Sequence, residues 1–241
     1  MNTDSPAVVE AARERARILN SLHRPLDLAT IIIIARNETD ADSASQWYRR
    51  AADMGDTAAM INLGNLLRTM DPPRLPEAEN WLLKAASTGN TDAMINLGNL
   101  LRTMDPPRLP EAENWLLIAA RALSNRSYQL NDAGGRTNEA LDDAQEAIAL
   151  YRELAATRPA EFTPDLARAL SNFSYQLNDA GGRTNEALDV AHEAVALYRE
   201  LAATRPAEFT PDLARALSNL STRLNAVGRR DEALHARHAA N

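Results

Sequence analysis

The 241-residue sequence contains no cysteine, so neither a disulfide framework nor a thiolate metal site can hold it together, and the fold must rest on its core alone. Aromatic residues make up only 5% of the chain, which excludes a core built on large rings. The dominance of Ala and Leu instead favours helices that approach closely and lose little rotamer entropy. Positive charge is in deficit: 26 Lys and Arg against 33 Asp and Glu leave a net charge of -7. A surface that neutralises phosphates needs clustered Lys and Arg, so nucleic acid is not expected as a partner. Long apolar runs are missing as well. The most apolar one, Ile31 to Ala35, is far too short to span a bilayer, and Met1 to Pro6 has neither the charged nor the apolar region of a secretory signal. The expectation is a soluble, cytoplasmic protein with no membrane partner and no cofactor.

What the chain has in abundance is repetition. Residues Ala59 to Leu83, AMINLGNLLRTMDPPRLPEAENWLL, recur letter for letter as Ala93 to Leu117, a period of 34 residues. Trp47, Ala51, Ala52 and Gly55 match Trp81, Ala85, Ala86 and Gly89 at the same offset, so residues Leu26 to Gly55 form a diverged first copy. In the second and third copies, Asp-Pro-Pro (Asp71 to Pro73 and Asp105 to Pro107) stops a first helix because proline lacks the donor and clashes with the preceding turn. Gly89 followed by Asn90 marks the left-handed exit from the second helix. Ahead of these copies, Ser5 and Pro6 open a helix that places Val8, Ala12, Ala16 and Leu19 on one stripe, a cap over the first repeat.

A second period takes over downstream. Ser127 to Asp142 recurs as Ser174 to Asp189, and Tyr151 to Asn172 as Tyr198 to Asn219, both offset by 47 residues. AGGRTNEA separates the paired helices and TRPAEFTPD the units, with Thr163 and Thr210 read as N-caps before Pro164 and Pro211.

The 34-residue helix-turn-helix pattern, carried by MINLGNLL and EAENWLLKAASTGN, resembles the tetratricopeptide repeat and more closely its Sel-one-like relative. The 47-residue pattern, carried by ALSNFSYQLNDAG and NEALDVAHEAVALYRELA, resembles longer tetratricopeptide variants of the kinesin-light-chain type. The resemblance implies an all-α superhelix, or solenoid, of stacked antiparallel helix pairs. It divides the chain into a capping helix (1-22), three Sel-one-like units (23-117), a junction helix (110-131) and longer tetratricopeptide units (118-241), the last of them truncated. In the longer units Leu170, Phe173, Ser174 and Leu177 are assigned to the packing face, with Ala187 and Ala194 opposite.

Pro110 to Asn131 belongs to both families. After Trp115 the expected KAASTGN becomes IAARALSN, so the terminating Gly is absent and the helix can run on until Gly134 and Gly135. Substitutions gather there: Lys84 becomes Ile118, Ser87 becomes Arg121, and Phe173 has Arg126 as its counterpart. Near-verbatim copies joined at such a seam point to an engineered fusion of two repeat families, a rigid scaffold without a dedicated biological activity. Recent duplication inside one natural gene also yields identical copies, and the alternative is a natural adaptor that binds a peptide or protein segment on its concave face.

Candidate binding residues follow from that face. Asn62, Asn65 and Arg68, with their copies Asn96, Asn99 and Arg102, lie on first helices. An amide offers donor and acceptor together and a guanidinium a charged fork. The resemblance implies that Asn65 would hold a bound peptide's backbone or terminal carboxylate, although the lysines of a full carboxylate clamp are absent. Arg121, Arg168 and Arg215 recur at one repeat position, with Tyr128 and Tyr175 seven residues further along two of the helices. They read either as a groove ladder for an extended or acidic peptide or as arginines paired with nearby carboxylates. His235 and His238 share a helix face, but without a third ligand they read as part of a solvated helix rather than a metal site. Trp47, Trp81 and Trp115 read as packing residues. No phosphate loop, activated nucleophile or catalytic carboxylate pair is present, so no enzymatic activity is expected. The shortened last helix predicts a monomer or a weak dimer through the C-terminal end.

Overall fold

The computed structural model describes residues 4-240, and among them every regular element is a helix. Residues 1-3 and 241, the extremes of the expected first and last segments, lie outside the described residues. The chain divides into two compact units, Met1–Trp115 and Leu116–Asn241. Consecutive helices pack against each other within each unit, which makes each an all-α solenoid of antiparallel pairs. No described helix is long and apolar enough to cross a membrane.

The first unit contains α1 (Pro6–Ser21), α2 (Leu28–Asn37), α3 (Ala41–Asp53), α4 (Thr57–Thr69), α5 (Leu75–Ser87) and α6 (Thr91–Thr103), followed by the start of α7 (Leu109–Ala133). Four of its helices, α2, α3, α4 and α6, start on short polar side chains that satisfy otherwise orphaned amides: Asp27, Asp40, Asp56 and Asn90 accept from Thr30, Ser43, Ala59 and Ala93. Gly64 permits the close approach of α4 and α5, for a Cβ there would lie 2.6 Å from Leu82 Cγ. At the start of α1, Ser5 occupies the N-cap but its side chain makes no capping bond. Its carbonyl accepts from Val8 and Val9 instead. Ala12 and Ala16 are buried as the stripe requires, whereas Val8 is exposed.

Continuing through α7, the chain adds α8 (Thr137–Thr157), α9 (Pro159–Asp179), α10 (Thr184–Thr204), α11 (Pro206–Ala226) and α12 (Arg230–Ala239). α7 runs without interruption through the unit boundary, with Ala112, Leu116, Ala119, Ala120, Leu123 and Ser127 as its buried stripe. In the second unit each pair is locked by a serine, at the position where α4 of the first unit carries Gly64. Ser127, Ser174 and Ser221 donate to the carbonyls of Ala140, Ala187 and Ala233 at 2.6, 2.7 and 2.8 Å. The small serine and the small alanine let the backbones approach, and the hydroxyl uses a buried carbonyl's spare acceptor capacity. Leu170, Phe173, Leu177 and Ala194 are buried around this contact.

One boundary differs from the sequence reading. Thr163 and Thr210 lie inside α9 and α11, which start at Pro159 and Pro206. The extra turn brings Phe162 and Phe209 into the core, each beneath an arginine, Arg158 at 4.9 Å and Arg205 at 4.5 Å from the ring centroid. Pro164 leaves the Ala160 carbonyl without its helical donor, and Arg205 donates to that oxygen at 3.4 Å.

Candidate functional site

The first helices of the second unit carry the same polar series at a 47-residue offset: Arg121, Asn125, Tyr128 and Asp132 on α7, and Arg168, Asn172, Tyr175 and Asp179 on α9. Spacings of four, three and four residues keep each series on one helical face. The two faces border a concavity of about 410 Å³, whose wall includes Arg121, Asn125, Tyr128, Arg168 and Asn172. A second concavity of about 360 Å³ shares Tyr128 and Asn172 with the first and adds Tyr175 and Asp179. Together they form one groove along α7 and α9.

The two arginines of the groove share one carboxylate. Asp165 pairs with Arg168 on its own helix and lies 3.8 Å from Arg121 across the groove. α11 repeats the local half of this arrangement, Arg215 pairing with Asp212 at 2.5 Å. On α7 the position three residues before Arg121 holds Ile118, so Arg121 reaches to the next helix for its partner. Beneath them the Tyr151 phenol is buried, and burial pushes its ionisation above the ordinary tyrosine range. Tyr128 and Tyr175 are 66% and 55% exposed, an unusual degree for rings in a chain with so few. Two exposed rings flanked by amide side chains offer stacking surface together with backbone hydrogen-bonding groups.

The first unit arranges its candidates differently. Asn62, Asn65 and Arg68 lie on α4, and Asn96, Asn99 and Arg102 on the neighbouring α6. Asn62 is exposed, and Asn65 Oδ1 and Arg68 Nε are buried atoms without a hydrogen-bond partner. None of the six lines the groove described above. Trp81 is buried while Trp47 and Trp115 are half-buried. Arg50 lies over Trp47 and Lys84 over Trp81, at 5.0 and 4.1 Å from the ring centroids. His235 places Nδ1 2.8 Å from the Asp231 carbonyl one turn earlier, a local helical contact rather than a ligand pose.

Three polar residues of the second unit escaped the sequence reading. Asp143 is buried and pairs with Arg126, Gln176 is buried and accepts from Ser127 at 3.1 Å, and Arg223 is buried on α11. The signal for Arg223 and Asp143 was present as departures from the 47-residue copy, since Gln176 stands where Arg223 would and Val190 where Asp143 would.

The sequence matches no family model and no curated protein. Among solved structures it is similar to a Sel1 repeat protein from Oxalobacter formigenes, at 20% identity over 96% of this chain and 98% of that one, with a TM-score of 0.36. A Podosopora anserina putative kinesin light chain with nearly identical TPR-like repeats is 16% identical over 98% of this chain and 95% of that one, TM-score 0.37. MamA is 18% identical over 90% and 94%, TM-score 0.33.

Proposed function

We propose that the chain is a non-catalytic helical-repeat scaffold whose second unit holds an extended peptide or protein segment in the groove along α7 and α9. The observation that carries this reading is the pair of exposed rings, Tyr128 and Tyr175, each with an asparagine, Asn125 or Asn172, three residues before it. Exposed aromatic anchors beside side-chain amides suit an extended backbone, whose donors and acceptors must be met as its side chains are buried. The six Asn and Arg positions on α4 and α6 are a secondary candidate surface, supported by Asn65 Oδ1 and Arg68 Nε lacking partners.

The letter-for-letter copies favour a second reading, an engineered fusion that serves as a scaffold without a ligand of its own. In both readings α7 is the junction helix, the end of one repeat family and the start of the other. Titrating a panel of unstructured fluorescent peptides separates the two. Saturable binding lost on Asn172→Ala supports the adaptor, loss on Asn99→Ala instead moves the site to the first unit, and absence of binding throughout favours the ligand-free scaffold. The expected solution state is a monomer or a weak dimer through the C-terminal end, where Leu234 is exposed on α12. Light scattering that holds at monomer mass as concentration rises eliminates the dimer.

A further inference from the structure

Helix α1 carries two apolar stripes where one suffices to cap a repeat. Ala12 and Ala16 belong to the first and are buried where α1 packs on α2. Val8, Ala11, Arg15, Ile18 and Leu22 form the second, at spacings of three, four, three and four residues, the period of a seam between two helices. All five are exposed, Val8, Ile18 and Leu22 to 43%, 50% and 60%. The first four, together with Ala29 and Ile33 of α2, line an open concavity of about 720 Å³. A continuous apolar face of this kind marks a docking surface.

Size and charge identify what docks there. A contact made by the same face of two copies has a two-fold axis, which sets the two helices antiparallel. Centred near residue 13, that pairing places Val8 against Ile18 of the second copy and Ala11 against Arg15 of the second copy, and each contact occurs twice. Aliphatic side chains meet at the two ends of the seam. Between them the longest side chain meets the smallest, and its stem covers the alanine methyl. The charged groups bordering the concavity are Glu14, Arg15 and Asp27. Arg15 pairs with Asp27 at 2.9 Å and Glu14 with Arg17 at 3.0 Å, so each copy matches these charges within itself. The face therefore meets its own image without like-charge repulsion even though the chain carries a net charge of -7. A foreign segment of either sign finds no unmatched partner among these three groups.

We propose that the exposed stripe of α1 is a self-association surface, occupied by the α1 of a second copy lying antiparallel across it and reaching into the concavity beside α2. The contact lies in the first unit and is separate from the one expected at α12, where Leu234 is exposed. It does not depend on the peptide groove along α7 and α9.

Sedimentation velocity of the full chain over a wide concentration range provides the first test. Mass should rise towards the dimer, and Ile18→Glu, which carries a charge into the seam, should weaken association at least about tenfold. Ile18 is exposed, so the variant should keep the parental circular dichroism and melting midpoint. Leu234→Glu should leave the dimer unchanged. The chain has no cysteine of its own, so introduced ones report the register. A mixture of Val8→Cys and Ile18→Cys copies should join by disulfides under mild oxidation far more readily than either variant alone. A chain that stays at monomer mass overturns the proposal, as does a dimer that survives Ile18→Glu or is lost on Leu234→Glu. Val8→Cys copies that join among themselves as readily as the mixture overturn the antiparallel arrangement.

Discussion

Arg126 on α7 grips Asp143 on α8 through two parallel hydrogen bonds, at the place where the next helix pair has Phe173 and Val190 and the last pair has Leu220 and Ala236. An apolar contact in two pairs has become an ion pair in the first, and both partners changed together. The Asp143 side chain is 8% exposed and that of Arg126 is 54% exposed, so the carboxylate is the buried member. Arg126 therefore neutralises an acid within the pair.

The asymmetry sets an order of mutational cost. Arg126→Phe strands a buried carboxylate and should lower stability by about 1–3 kcal/mol, a figure reduced for the solvent that reaches the arginine. Asp143→Val leaves a solvated arginine and should cost less. The double variant restores the pair found in the second repeat and should recover most of the loss, so that urea melts of the four proteins give a coupling energy clearly different from zero. Additive effects would separate the two positions.

The uninterrupted course of α7 through residue 119 gives a second prediction. Ala119 is fully buried, and proline there removes a helical donor and clashes with the preceding turn, at a cost of about 3 kcal/mol or more. If α7 serves both repeat families, Ala119→Pro should split thermal unfolding into two steps, whereas Ala119→Gly should lower the midpoint while keeping one. A proline variant that melts in one transition at the parental temperature contradicts the shared role.

Burial holds the Tyr198 phenol neutral and pushes its pKa up from 10.0 to about 12. The folded value is raised above the unfolded one, so this contribution to stability is complete below about pH 10 and declines as pH rises towards 12, where the unfolded state releases the proton first. Denaturant midpoints measured from pH 8 to pH 12 should therefore fall at the alkaline end. Tyr198→Phe should flatten part of that fall, and a profile identical to the parent's would exclude Tyr198 as its source.

Much of the architecture was legible in the sequence because each repeat states its own boundaries. Gly89 adopts φ +87° after α5, and Asn90 immediately caps α6, as the Gly-Asn pair implied. The buried faces of α9 and α10 followed from small and large residues alternating at helical spacing. What the sequence obscured was competition between equivalent local signals. Thr163-Pro164 looks like a helix start, but so does Arg158-Pro159, and burial of Phe162 decides for the earlier one. Long-range polar pairing was also out of reach. Arg121 and Arg168 recur at one repeat position in the sequence, yet their sharing of Asp165 depends on how α7 lies against α9. For Arg223 the sequence showed the departure from Gln176 but not the burial, which a polar residue in a mostly polar helical series does not signal.

The groove on α7 and α9 is tested most directly by paramagnetic mapping. A peptide that binds in the panel is spin-labelled at one end and added to the isotopically labelled full chain. Broadening should concentrate on Asn125, Tyr128, Asn172 and Tyr175 and should reverse when the label is reduced. Broadening centred on the exposed residues of the second helices, such as Gln145 and His192, or on Asn65 and Asn99 of the first unit, would contradict the account.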